Sequence, residues 1–258
     1  MSRTLLRAQG LSREFGGVQA VDALEMEIPE GVVFSIIGPN GAGKTTLLNL
    51  LTGIYAPSAG RIWFDGRDLT GFSPHAFAAA GIGRTFQNLQ IFFNMTALEN
   101  VMAGRHLHES CSLLAAMLRL PALGRAERAC RAQSEALLEF VGLEGYLSAA
   151  SDAMPYGALK RLEIARALAA EPRLLLLDEP AAGLNPTETD EIDALIQRIA
   201  ARGVTVVLVE HNMKLVMGVS QQVLVIDYGR KLAEGDTETV RRNPRVIEAY
   251  LGSEAGDR

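Results

Sequence analysis

Three observations predict an α/β fold built on a parallel sheet around a phosphate-binding loop. The apolar run Val32-Val33-Phe34-Ser35-Ile36-Ile37 leads into Gly38-Pro39-Asn40-Gly41-Ala42-Gly43-Lys44-Thr45-Thr46 and then into the helix-like Leu47-Leu48-Asn49-Leu50-Leu51. Later apolar runs, Leu174 to Leu177, Val204 to Val209 and Val223 to Ile226, have the length and continuity of strands buried on both faces. A helical segment, Thr187 to Ala201, and a shorter linker helix separate them, which is the strand-helix-strand order of a nucleotide-binding core.

The loop at 38 to 46 carries the most specific chemistry. A buried strand ending in G-x-x-x-x-G-K-[ST] and turning into a helix puts backbone N–H groups, a helix dipole and one lysine around a polyphosphate. Gly38, Gly41 and Gly43 allow dihedrals and close approaches that a Cβ forbids, Lys44 can reach β- and γ-phosphates, and the Thr45 hydroxyl can ligate Mg²⁺. An ordinary glycine-rich turn explains less of this pattern than nucleotide binding does.

Ahead of the loop, Leu5 to Leu11 and Gln19 to Ile28 alternate as sheet strands, punctuated by Gly16-Gly17 and Pro29-Glu30-Gly31. Phe15 has a ring that could stack on a base, although on the residues alone a half-buried strand aromatic accounts for it better. After the loop helix, Gly60 to Phe64 followed by Asp65-Gly66 signals a tight hairpin. Ser73-Pro74 starts a short helix, and Ile82 to Phe86 reads as a strand ending at Gln87.

From Thr96 to about Ala150 the pattern turns helical, with Thr96-x-x-Glu99 as a capping box and Glu127 to Val141 amphipathic. This predicts a separate helical subdomain. Within it, Leu107 to Arg125 reads as one helix or as two split at Pro121.

The chain of 258 residues is long enough for a full core, and its net charge of -5 gives no electrostatic argument for nucleic acid. Arg125, Arg128 and Arg131 lie at helix spacing and read as a solvated face. Cys111 and Cys130 make neither a disulfide framework nor a metal pattern, and His106-Leu107-His108 reads as surface. The first residues lack a sustained apolar run, so a signal peptide is not expected. No stretch reaches the roughly 18 apolar residues of a spanning helix. Membrane association would therefore go through a partner.

Asp178-Glu179-Pro180 follows the run Leu174 to Leu177, placing two carboxylates at the carboxyl end of a core strand, where α/β sheets bind ligands. Asp178 is placed to hold an Mg²⁺ hydration shell, and Glu179 to accept a proton from an attacking water or to orient it. Glu210-His211 repeats the layout after Val209, putting an imidazole at the same edge. Gln87 is a loop amide able to reach Mg²⁺ or water.

Taken in order, the phosphate loop, Gln87, the segment Met154-Pro155-Tyr156-Gly157-Ala158-Leu159-Lys160-Arg161-Leu162-Glu163-Ile164-Ala165-Arg166-Ala167-Leu168, Asp178-Glu179 and His211 resemble the ATP-binding-cassette (ABC) ATPases over nearly the whole chain. Gly83-Arg84-Thr85-Phe86-Gln87-Asn88, Pro155-Tyr156-Gly157, Ala182-Gly183-Leu184-Asn185-Pro186 and the ending Asn243 to Gly252 are similar to the ATP-binding subunit of branched-chain amino acid importers. The resemblance implies a P-loop NTPase core of ABC type with an N-terminal antiparallel β layer and an α-helical subdomain. It implies one domain over 1–258: 1–88 and 169–236 as nucleotide-binding core with β layer, about 89–168 as helical and signature subdomain, and 237–258 as a C-terminal helical tail.

Function follows as an expectation: an ATPase with ATP and Mg as cofactors, powering uptake of branched-chain, hydrophobic amino acids. Implied partners are a second ABC ATPase subunit, two membrane permease subunits and an extracytoplasmic substrate-binding protein, with the chain peripheral on the cytoplasmic face of the inner or plasma membrane. Glu179, His211 and Gln87 would be catalytic, Thr45, Gln87 and Asp178 would serve Mg, Phe15 and residues 38 to 46 would hold ATP, and Pro155, Tyr156, Gly157 and Ala158 would act in trans on the partner's nucleotide. The helix starting near Gly157 would bury Leu159, Leu162, Ala165 and Leu168 and leave its basic residues mostly solvated. Alternatives are the ATPase of a lipid or lipopolysaccharide exporter and a soluble regulatory cassette; the second would carry two cassettes or a long coiled-coil insertion.

Two departures from the family pattern stand out. The usual Leu-Ser-Gly-Gly-Gln is Met154-Pro155-Tyr156-Gly157-Ala158, which lacks the serine hydroxyl and glutamine amide, and Asn185 replaces an aspartate. The site completed by this signature is therefore expected to be the weaker of a pair.

Overall fold

The computed structural model describes residues 3–106 and 121–254. Strands β1 (Thr4–Phe15) and β2 (Val18–Pro29) form an antiparallel hairpin across Gly16 and Gly17, both at positive φ. β3 is Val33–Ile37, β4 is Ala59–Phe64 and β5 is Arg67–Asp68, and β4 pairs with both β1 and β5 to give a four-stranded sheet in the order β2-β1-β4-β5. Leu24, Met26 and Ile28 are buried between exposed Glu25 and Glu27, the alternation of a layer wet on one face. The turn from β4 to β5 places Asp65 and Gly66 at φ 51° and 76°, as an Asp-Gly hairpin requires.

The second sheet has six strands: β3, β6 (Ile82–Arg84), β7 (Leu174–Asp178), β8 (Thr205–Val209), β9 (Gln222–Asp227) and β10 (Arg230–Gly235), in the order β10-β9-β3-β8-β7-β6. All pairings are parallel except the β9–β10 hairpin at the edge. Every residue of β3, β7 and β8 is buried, which explains their continuous apolar composition. Successive residues feed different cores: Leu175, Leu177, Val206 and Leu208 face the helical side, while Leu174, Leu176, Val207 and Val209 face the β layer.

The helix after the phosphate loop, α1 (Lys44–Leu51), lies between the two sheets. Its Leu47, Leu48, Leu50 and Leu51 are fully buried, each contributing about 1.5–3 kcal/mol relative to exposure. The short α2 is Pro74–Ala79, with Ser73 at its N-cap position and Pro74 in its first turn. On the other side α3 (Ala97–Gly104), α4 (Pro121–Phe140) and α5 (Tyr156–Leu168) pack together around Val101, Leu138 and Leu162. The capping box of α3 is present in both directions, Thr96 to Glu99 and back. α6 (Pro186–Ala201) and α7 (Met213–Val219) flank the sheet, and α8 (Thr237–Arg241) and α9 (Pro244–Glu254) end the described chain against Ile37, Val223 and Val225.

Two expectations are corrected. β6 stops at Arg84 rather than running to Gln87, because the Phe86 N–H turns from the sheet to the Glu163 carboxylate, 3.2 Å away. The basic residues of α5 are not a solvated face: Lys160 is 2% exposed, since α5 is covered by the sheet on one side and by α3 and α4 on the others. Residues 124–129 and 131 are exposed, as expected of the Arg125, Arg128 and Arg131 face, whereas Cys130 is buried. Cys111, Leu107 and His108 lie outside the described residues, as does the question of a helix before Pro121, where α4 begins.

Candidate nucleotide-binding and hydrolysis site

The carboxyl ends of β3, β8, β7 and β6 are neighbours, so the segments that follow them meet at one sheet edge. After β3 the chain makes the loop at 38 to 46. Two of its glycines are required sterically: a Cβ on Gly38 would lie 2.1 Å from the Ile226 carbonyl oxygen, and one on Gly43 would lie 2.3 Å from that of Ala20, with φ at +99°. Gly43 is the N-cap of α1 and offers no side-chain acceptor, so the first N–H groups of the helix stay open to an anion. Pro39 is half-buried and Asn40 and Gly41 are exposed, while Ala42 is buried and its N–H donates to the Pro39 carbonyl.

Lys44 is 7% exposed, and its Nζ donates to the carbonyls of Gly38 (2.7 Å) and Pro39 (2.9 Å). Burial pushes its pKa down, while the charges of Glu179 and Asp178 push it up. Two of its three protons are thus committed to the loop and one remains for a phosphate oxygen. Thr45 is exposed and its hydroxyl bonds to no described residue; Thr46 is half-buried. The Tyr250 phenol, from α9, accepts the Gly38 N–H, so that amide is engaged by the chain's own tail.

Asp178 ends β7 and Glu179 follows at φ 49°, an uncommon conformation for a side chain with a Cβ, with its N–H donating to Val209 O at 2.9 Å. Glu179 Oε2 accepts the Gln87 amide at 3.0 Å and Oε1 lies 2.9 Å from His211 Nε2. Since a carboxylate only accepts, the imidazole must carry its proton on Nε2. Gln87, Glu179 and His211, from three different strand ends, are therefore one hydrogen-bonded unit. Asp178 is 4% exposed; burial raises its pKa, and an ion pair with Arg84 at 2.9 Å lowers it.

Several groups that hold this unit were given no role by the motifs that contain them. Glu210 is 4% exposed and accepts three backbone N–H groups, from Ala181 (2.9 Å), His211 (3.0 Å) and Asn212 (3.3 Å), thereby fixing the loops after Glu179 and after β8. From α5, Lys160 Nζ donates to the Gln87 carbonyl at 3.2 Å, and Glu163 accepts the N–H groups of Phe86 and Gln90 at 3.2 and 3.3 Å. Burial raises the Glu163 pKa against those hydrogen bonds. Charged residues in an apolar helix pattern were the available signal.

The remaining expected residues lie apart. Phe15 is 39% exposed, edge-on to Tyr55 and with the Arg13 guanidinium 4.6 Å from its ring centre. Pro155 is the N-cap of α5, Tyr156 is 45% exposed beside Gly183, and Gly157 and Ala158 are buried, Gly157 against Glu188. Among the described residues no hydrogen bond joins these four to the loop at 38 to 46. Asn185 caps α6 in a reciprocal pair with Glu188, so this position is occupied by a helix cap.

The donor set suits Mg²⁺ bound with a nucleotide. Among the described residues no three His, Cys, Asp or Glu side chains cluster as a metal cage. One carboxylate, Asp178, and one uncommitted hydroxyl, Thr45, fit an ion that keeps waters and takes its other ligands from phosphates.

Residues 21–182 match the ABC transporter family, and residues 230–256 match the family described as branched-chain amino acid ATP-binding cassette transporter. The chain is 46% identical over 253 residues to the high-affinity branched-chain amino acid transport ATP-binding protein BraF of Pseudomonas aeruginosa, covering 98% of this chain and 99% of the relative. It is 42% identical to the corresponding LivG of Escherichia coli K12 with the same coverage. Among solved structures, a nucleotide-free ATP-binding cassette from an ABC transporter superposes with a TM-score of 0.83 at 30% identity, over 96% of this chain and 99% of that one. The ADP conformation of such a cassette gives 0.83 at 30% identity, over 97% and 100%.

Proposed function

Because this chain belongs to the ABC transporter family of ATP-binding cassettes, we propose that it is the ATP-hydrolysing subunit of an importer of branched-chain, hydrophobic amino acids. The observation that carries the hydrolytic reading is the unit in which Glu179 is held by Gln87 and His211 beside the loop of Lys44. The transported class rests on the names of the relatives and on the match of the C-terminal residues.

In the mechanism, residues 38 to 46 and the N-terminus of α1 surround the phosphates, and Lys44 directs its remaining proton to them. Thr45 and Asp178 would hold Mg²⁺, which supplies charge neutralisation on the phosphates when bound. Glu179 accepts the proton of the attacking water, His211 orients Glu179 and faces the terminal phosphate, and Gln87 links this base to the segment entering the helical arm. Phe15 stacks on the base of the nucleotide. Residues about 89–168 form that arm within a single domain, and the tail from 237 closes over the sheet.

A second cassette completes the site. The segment Pro155 to Ala158 opens α5, whose N-terminal dipole favours negative charge on the partner's nucleotide. With Pro155 lacking an N–H and Asn185 used as a cap, the site this signature completes is the weaker of the two. Two permeases and an extracytoplasmic binding protein complete the transporter, and the chain acts at the cytoplasmic membrane face through them. No helix among the described residues is long and apolar enough to cross a membrane.

The test is uptake of labelled leucine by vesicles holding the reconstituted complex, with ATP on the side of this subunit. Uptake that vanishes with Lys44→Ala supports the reading. ATP-dependent extrusion, or no leucine movement by a complex that hydrolyses ATP, contradicts it.

A further inference from the structure

The segment from Arg84 to Gln87 grips both strand-end acids: Gln87 holds Glu179, and Arg84 holds Asp178. The grip on Asp178 is the more enclosed. Arg84 Nη2 lies 2.9 Å from Asp178 Oδ2, with the two side chains only 6% and 5% exposed. The other arm of the guanidinium reaches α1, donating to Asn49 Oδ1 at 2.6 Å and to Thr52 Oγ1 at 3.3 Å, and the Phe86 ring lies 4.8 Å from its centre.

Asn49 stands one helical turn after Thr45 on α1. Arg84 therefore bridges Asp178 to α1, the helix that presents Thr45. A buried ion pair is by itself a weak source of stability, because desolvation offsets the attraction. The two-armed geometry is what only a planar guanidinium provides. Asp178 Oδ1 bonds to no described residue, so the arrangement commits one carboxylate oxygen and leaves the other.

We propose that Arg84 is a positioning residue that fixes the Asp178 carboxylate against α1 and thereby sets the Mg²⁺ requirement of nucleotide binding. The inference rests on the nucleotide site proposed above. Partners that orient a metal-ligating carboxylate typically change metal affinity by about 10–100-fold when removed.

The experiment titrates Mg²⁺ against binding of a fluorescent ATP analogue to wild type, Arg84→Met, Arg84→Lys and Asn49→Ala, each checked for folding by circular dichroism. Arg84→Met is expected to need at least about 10-fold more Mg²⁺ for half-maximal binding, while its affinity in EDTA stays within about twofold of wild type. Arg84→Lys, with one ammonium for Asp178, Asn49 and Thr52, falls between, and Asn49→Ala shifts the same way by less. If Arg84→Met does not fold, the last two variants carry the test. An unchanged or lower Mg²⁺ requirement, or an equal loss of affinity in EDTA, overturns the proposal. A wild type that binds no nucleotide overturns the underlying reading and this inference with it, and is told apart by the wild-type curve alone.

Discussion

His211 Nε2 sits 2.9 Å from Glu179 Oε1, although the two residues come from adjacent strand ends 32 positions apart in sequence. Asp178 and Val209 are partners in the β7–β8 register, so the residues that follow them emerge side by side. The imidazole therefore fixes the rotamer of the proposed base. His211→Ala should lower ATP hydrolysis by about 10²-fold or more while leaving nucleotide affinity within about twofold. Steady-state hydrolysis paired with equilibrium binding checks this, and hydrolysis near the wild-type rate would refute it.

Gly43 tests the loop sterically. Gly43→Ala places a Cβ 2.3 Å from a backbone carbonyl at φ +99°, so neither the side chain nor the loop can relax cheaply. Loss of nucleotide binding, with a melting temperature lower than that of wild type, is expected. Gly41→Ala, with nothing within 4 Å of its Cβ, meets only the cost of positive φ and should bind more nearly as wild type does.

Glu163 tests how α5 holds the segment carrying Gln87. Glu163→Ala leaves the N–H groups of half-buried Phe86 and exposed Gln90 without their acceptor, and because water reaches both in part the loss is about 0.5–1.5 kcal/mol for each. Hydrolysis should fall more than nucleotide affinity, because Gln87 is displaced and the phosphate loop is not. Glu163→Gln keeps an oxygen at the same place and should recover most of both stability and rate, as read by denaturant unfolding and ATPase assay.

Tyr250 gives a pH test. Burial pushes its phenol from the ordinary 10.0 up to about 12, against the opposing hydrogen bond from Gly38. Between those values the unfolded chain releases the proton and the folded chain keeps it, so stability falls as pH rises through the window and levels off above about 12. Tyr250→Phe removes this contribution. Its thermal melting, compared with wild type from pH 9 to 11 (about the onset of the window), should fall less steeply with pH; parallel curves would refute the assignment.

The framework of the fold was legible because its signals are local. β3, β7 and β8 are continuous apolar runs, and the glycines at 38 and 43 have steric reasons that residue type alone conveys. Asp178 and Glu179 were found by their place after such a run. Lys160 and Glu163 were not, because their partners lie 73 to 77 residues away, and Glu210 was named only beside His211 because its bond to Ala181 spans 29 residues; these partners meet only when strand ends and α5 stack. Reading the cations of α5 as solvated assumed one wet face, whereas that helix is packed nearly all round. β10 was missed because its residues are half-exposed and polar at a sheet edge. The roles proposed for Phe15 and for Pro155 to Ala158 involve a nucleotide and a second cassette, so neither sequence pattern nor the packing of this chain alone brings out their partners.

Glu179→Gln addresses the central claim most directly: hydrolysis of ATP by the purified subunit with its partner cassette, measured beside ATP binding. The account predicts a fall of about 10²–10⁴-fold in the rate of the site that depends on Glu179, with ATP still bound. Hydrolysis at that site within about twofold of the wild-type rate would contradict it.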